Sequence, residues 1–289
     1  MAEAPAAAGA EIPLVPSAAD DRPVPALRAY IMLAGAWSRS ARQYRTSLAL
    51  TSLAQMLVSC LDLVALLVIF SQIQTLGGFT KPETLYLYGT TRLSFAVADM
   101  IASSVELLSD AVRLGTFDVI LIRPVSTLAQ VMANQFTPKR FGKAVPATAT
   151  LVWAIVAVHI HWTPLKAAIC VGTVLCGAVI YISLFVLSNM ISFFSPDMRE
   201  TANTMTYGSE LVTEYPFGIF GKPTALVLTF ALPLAFITWQ PSLYVLGRTD
   251  PLGLPGFLRF AAPAVAAVLA LLTAVAWRFA VRHYRSTGS

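Results

Sequence analysis

The chain has 289 residues, of which 56% are hydrophobic and only 12% charged, about half the charged fraction of a soluble domain. So few charges cannot cover a water-facing surface. This excludes a large soluble domain and makes lipid the solvent for most of the exterior. The net charge of +5 fits membrane orientation better than nucleic-acid binding, because the basic residues are distributed unevenly between the loops.

At about 20 apolar residues per crossing, the length allows about six spans with loops, so the expected fold class is an all-α integral membrane protein. Residues 1–25, rich in Ala and Pro, read as a disordered tail without the basic-then-apolar pattern of a cleavable signal. Residues 26–289 read as one transmembrane domain. Within residues 26–46, Leu27, Tyr30, Ala34, Trp37, Ala41 and Tyr44 recur at spacings of three and four, and Arg28, Arg39, Arg42 and Arg45 lie between them. This pattern predicts an amphipathic helix lying on an anionic leaflet.

The first span is expected at 48–70, about 34 Å long at 1.5 Å per residue. Residues 72–83, with Gly77, Gly78 and Pro82, read as a loop. Further spans are expected at 84–108, 144–160, 165–194, 198–215 and 257–280. The apolar run 224–238 is short, contains Pro233, and reads as re-entrant. Cys60, Cys170 and Cys176 sit in apolar runs and read as buried hydrophobes.

Assuming six crossings with both termini in the cytoplasm, only Lys81, Lys166, Lys222, Arg248 and Arg259 of the 20 basic residues fall outside. Arg92 falls within a span and the rest lie inside, as the positive-inside rule requires.

Ionisable residues at membrane depth are functional candidates. Asp62 lies about ten residues from the outer end of the first span, and Arg92 about nine from that of the second. An Asp62–Arg92 pair is therefore predicted, with a structural or a pathway role. Asp99 and Glu106, seven apart on the second span, lie on nearly one face.

Catalytic and metal chemistry find no support. His159 and His161 form an H-x-H beside Trp162 with no further ligand nearby. Residues 218–224 resemble a phosphate loop only faintly, with the wrong spacing and a proline after Lys222. No catalytic residue, bound metal or cofactor is expected in this chain.

The stretch from Val112 to Phe136 carries more information. It is expected on the cytoplasmic side, yet apolar residues alternate with charge between Gly115 and Pro124. Exposed apolar residues there need a docking surface that this chain does not supply, so a separate cytoplasmic partner is the simplest answer. Lying in the headgroup layer is the alternative.

Leu114–Val125 reads L-G-T-F-D-V-I-L-I-R-P-V, that is L-G-x-[FL]-D-x-x-L-x-R-P-V. Together with Tyr215–Phe220, Leu232–Phe236 and Pro241–Arg248, it resembles the permeases of ABC-2-type transporters. The resemblance covers nearly everything from residue 26 onward. It implies the transmembrane subunit of an exporter, with ATP and Mg bound by a separate cytoplasmic subunit. Residues 112–125 would form the coupling helix, with Arg113, Gly115, Phe117, Asp118, Arg123 and Pro124 at the contact. Residues 216–246 would form a re-entrant hairpin closing the outer end, with Tyr215, Pro216, Gly218 and Pro233 as gate positions. The permease would pair with a second copy or a paralogous permease, surrounded by membrane lipid, in a bacterial plasma membrane. No nucleic-acid partner is expected. The apolar span faces favour a lipophilic or drug-like substrate. A secondary transporter, or a membrane assembly or regulatory protein, is the alternative reading.

Overall fold

A computed structural model describes residues 25–134, 140–195 and 198–284, except for the side chain of Arg42. The tail expected at 1–25 lies, but for Pro25, outside the described residues. The chain is helical through α1 (Ala26–Gln43), α2 (Arg45–Gln72), α3 (Lys81–Ala102), α4 (Leu108–Arg113), α5 (Phe117–Leu121) and α6 (Thr127–Ala133). It continues through α7 (Phe141–Ala157), α8 (Pro164–Asn189), α9 (Arg199–Thr213), α10 (Lys222–Phe230), α11 (Trp239–Leu246) and α12 (Ala262–His283).

Three of these helical stretches are long and apolar enough to cross a bilayer: Arg45–Gln72, Pro164–Phe193 and Ala262–His283. The pair Lys222–Phe230 and Leu234–Leu246, bent by 78°, is a fourth if it counts as one broken span. The protein is therefore a multi-pass, all-α membrane protein by composition and length. The apolar helix Phe141–Ala157 is shorter. Two other expected spans, α3 and α9, are helical at the expected places but carry Glu83, Arg92, Asp99 and Glu210.

α3 lies at the centre. It packs on α7 and α8; α8 in turn packs on α12, α9 and α11, and α2 packs on α7. Thr80 caps α3 through a capping box, with the Glu83 carboxylate accepting from the Thr80 amide at 2.8 Å. Gly89 sets the α3–α7 crossing, because a Cβ there would lie 2.8 Å from the Leu151 amide nitrogen. On the α8 side, Phe95 meets Tyr181 and Phe185 edge-on, at centroid distances of 5.2 and 5.3 Å.

Several expectations need correction. The 72–83 loop contains a two-stranded hairpin, β1 (Thr75–Leu76) and β2 (Phe79–Thr80), pairing Thr75 with Thr80 and Leu76 with Phe79. Gly77 and Gly78, at φ 58° and 84°, supply the two left-handed positions of its tight turn. The second span does not stay α-helical to Leu108, since α3 gives way to 3₁₀ turns over Ser103–Leu107. The 224–238 run, by contrast, is interrupted as a broken span or a re-entrant segment would be: α10 ends at Phe230, and α11 begins at Trp239.

The amphipathic first helix forms, but its stripe does not all face outward. Ala29 and Ala34 are buried, because α1 lies against α6, and the Tyr30 hydroxyl donates to the Ile101 carbonyl at 3.0 Å. The small residues allow close approach to the protein, and the bulkier Leu27, Ile31 and Met32 take the exposed side.

Candidate functional site

Arg92 organises a polar node inside the bundle between α2, α3 and α9. Its guanidinium bonds Asp62 of α2 at 2.8 Å and Glu210 of α9 at 3.0 Å. Its Nε also lies 2.6 Å from Glu214, an ion pair by distance though not aligned as a hydrogen bond. The Tyr88 ring lies one turn back, 5.3 Å from the guanidinium carbon. Three carboxylates thus share one guanidinium, and two of them are almost wholly buried, Glu210 at 6% and Glu214 at 4% exposure. Such a group persists in an apolar setting only because each charge meets an opposite one.

The sequence places Asp62 and Arg92 at one depth, and the structure brings them together. Sequence reasoning missed Glu210 and Glu214. The signal was present: two carboxylates four apart share one helical face, and within a span they call for a cation.

A second node lies about two turns further along α3. Asp99, fully buried, is ion-paired with Arg140 and lies 3.1 Å from the Lys143 ammonium. Glu106 accepts from the Tyr207 hydroxyl at 2.7 Å, which ties the 3₁₀ turns to α9. Below it, Arg199 bonds Asp110 at 2.7 Å. The basic residues at the start of α7, Arg140 just before it and Lys143 in its first turn, therefore reach into the bundle to hold Asp99 of α3.

Between α2 and α9 lies a cleft of about 300 Å³. Arg92 and its three carboxylates line it, with Ser59 and Gln55 from α2.

At the opposite end of α3, Arg248 forks onto Glu83 with bonds of 2.7 and 2.8 Å. Its guanidinium carbon lies 5.6 Å from the Phe79 centroid, and Phe79 packs on Trp239 at 5.1 Å. This clamp joins the β-hairpin, the start of α3 and the end of α11. The named gate positions lie in the segment between α9 and α11. Tyr215 is half-buried, Pro216 precedes the 3₁₀ turn Phe217–Phe220, Gly218 lies beside Pro251, and Pro233 sits at the bend between α10 and α11. A buried threonine node anchors the bend. Thr91 donates to the Thr213 carbonyl at 2.8 Å and meets the Thr238 hydroxyl at 2.9 Å.

The 112–125 segment is not one helix. Arg113 ends α4, Gly115 turns the chain at φ 69°, and α5 has only five residues. Phe117 is fully buried, with its ring 5.0 Å from both Phe193 and Tyr284, so it anchors the segment. Around this anchor Leu114, Val119 and Ile122 are exposed, Ile122 at 82%. Arg113, Arg123 and Pro124 are also exposed, and Asp118 is half-buried. His159 and His161 sit in an exposed loop far along the chain from these nodes.

The family model described as ABC-2 family transporter protein matches residues 56–288, and the chain belongs to that family. It is thus a permease of an ABC transporter. No curated protein and no solved structure matches the chain.

Proposed function

We propose that this permease is the transmembrane subunit of an ATP-driven exporter that moves a lipophilic or drug-like substrate outward. ATP and Mg are bound and hydrolysed by a separate cytoplasmic subunit. Six crossings place both termini in the cytoplasm of a bacterial plasma membrane, with α3, α7 and α9 serving as the less apolar or shorter spans. Two permeases, identical or paralogous, form the route, and the 216–246 segment re-enters and closes its outer end.

The observation that carries this reading is the segment around Phe117. A loop anchored at one buried aromatic, with Leu114, Val119 and Ile122 exposed around it, is built to dock against another protein rather than to pack on its own chain. Closure of the ATP-binding subunits would push this segment. Phe117 would then pass the movement to Phe193 and Tyr284, at the inner ends of α8 and α12.

The test is affinity purification of the tagged protein from native membranes, followed by reconstitution. A co-purifying ATPase that carries nucleotide-binding motifs, and whose activity rises with the permease present, supports the reading. Transport driven by an ion gradient without any such subunit would overturn it in favour of a secondary transporter.

A further inference from the structure

The last helix changes its chemistry along its length. The outward face of α12 runs through Val268, Leu272, Val275 and Phe279 at spacings of three and four, and all four are exposed. From Val268 to Phe279 is about 17 Å at 1.5 Å per residue, close to half of the roughly 30 Å hydrocarbon core of a bilayer. The acyl chains of one leaflet therefore match this stripe in length. At its end stand Arg278, Arg282 and His283, which with Val275 and Phe279 line a hollow of about 360 Å³.

Two observations point to an anionic amphiphile as the occupant. The first is missing negative charge. Arg278 and Arg282 are exposed and four apart, hence on one face, and among the described residues neither has a hydrogen-bond or ion-pair partner. Arg92, Arg140, Arg199 and Arg248, by contrast, each meet a carboxylate. The neighbouring sequence supplies none, because residues 251–289 hold Arg259, Arg278, Arg282 and Arg285 but no Asp or Glu. The second is the floor of the hollow. The Phe279 ring lies exposed beneath the His283 ring, at a centroid distance of 4.1 Å, and continues the apolar stripe. A soluble anion would satisfy the arginines and leave this floor bare, whereas a lipid covers both.

We propose that the end of α12 is a binding site for an anionic phospholipid. Arg278 and Arg282 hold its phosphate, for which planar guanidinium groups are well shaped, and its acyl chains lie along Val275, Leu272 and Val268. The inner side of the same helix end is already committed. Trp277 packs on Phe193 at 5.4 Å, and Tyr284, the residue after α12, packs on Phe117 at 5.0 Å. A lipid clamped on the outer side would steady the footing of the exposed 114–122 segment. The site does not depend on whether the chain exports its substrate.

The test is native mass spectrometry of the full-length protein in detergent, titrated with phosphatidylglycerol or with phosphatidylcholine of the same acyl chains. Retention of one phosphatidylglycerol is expected under conditions that strip phosphatidylcholine. Arg278→Gln and Arg282→Gln should each weaken its binding about five-fold, and the double variant about twenty-fold, the scale of single basic contacts to an anionic lipid. Both side chains are exposed and unpaired, so the melting temperature in phosphatidylcholine should not change. A control pair on α1, Arg39→Gln with Arg45→Gln, should leave this lipid in place, and an excess of inorganic phosphate should not displace it. Equal retention of the two lipids, or unchanged retention in the double variant, would overturn the proposal. An equal loss in the α1 pair would overturn it in favour of charge attraction spread over the surface. Displacement by phosphate alone would overturn it in favour of a soluble anion.

Discussion

Arg92 and Asp62 meet at 2.8 Å across α2 and α3, and the same guanidinium reaches Glu210, 118 residues further along the chain. The arginine therefore ties α2, α3 and α9 together at one level of the bundle. Its partners are unequal: Asp62 is half-exposed, while Glu210 and Glu214 are buried.

That inequality predicts an asymmetric response. Arg92→Gln strands two buried carboxylates and should cost about 3–5 kcal/mol, the scale for breaking a buried pair from one side. Asp62→Asn removes a half-exposed partner and should cost less than about 1 kcal/mol. Thermal unfolding of the detergent-solubilised variants checks both. Equal losses would mean that Asp62 is as structurally committed as the α9 carboxylates.

The segment around Phe117 should separate folding from partner capture. Phe117→Ala removes a buried ring packed on Phe193 and Tyr284, and is expected to destabilise by about 3–5 kcal/mol. Ile122→Asp changes an exposed side chain and should stay within about 0.5 kcal/mol. It should nonetheless reduce recovery of an ATPase partner sharply. Undiminished recovery with Ile122→Asp would remove that residue from the contact.

Gly89→Ala should be costly despite the small change. The added carbon would press on the backbone of Leu151, which no rotamer change can move aside. Overpacking of this kind costs about 1–3 kcal/mol, and larger residues should prevent accumulation of folded protein. Size-exclusion profiles and melting temperatures measure the series.

The Glu83–Arg248 clamp can be tested by exchange of charge. Glu83→Arg alone sets two cations together and also loses the capping box at Thr80. Arg248→Glu alone sets two carboxylates together. Each should speed amide exchange in α11, and the double exchange should recover part of the protection. The cap is not restored, and Arg248 is 41% exposed, so the recovered part is expected to be about 1 kcal/mol or less. No recovery at all would show that the cap, not the ion pair, holds this end of α3.

How much of this could be read in advance depended on range. The Asp62–Arg92 pair was legible because both residues sit on consecutive helices at matching distances from the loop that joins them, so helix rise alone placed them together. Glu210 and Glu214 lie in a stretch that reads as moderately apolar and give no sign of which cation they face. The same limit applied to Arg140 and Lys143, which look like loop charges marking the cytoplasmic side until they are seen against Asp99. The hairpin was a local miss, since Gly77–Gly78 between Thr75–Leu76 and Phe79–Thr80 is a recognisable two-residue turn signal.

Composition and periodicity by themselves determined that this protein lives in lipid, where its helices fall, and that the 112–125 stretch is unusually apolar for a charged loop. These properties follow from each residue's own transfer energy and from the helical repeat, which act over a few turns of chain. The tertiary structure alone decided that Phe117 is an anchor rather than a surface contact. It also decided that the first helix turns its small face inward, and that three carboxylates converge on Arg92. Those outcomes depend on which distant segments become neighbours, and packing and charge pairing between separate helices leave no local signature in the chain.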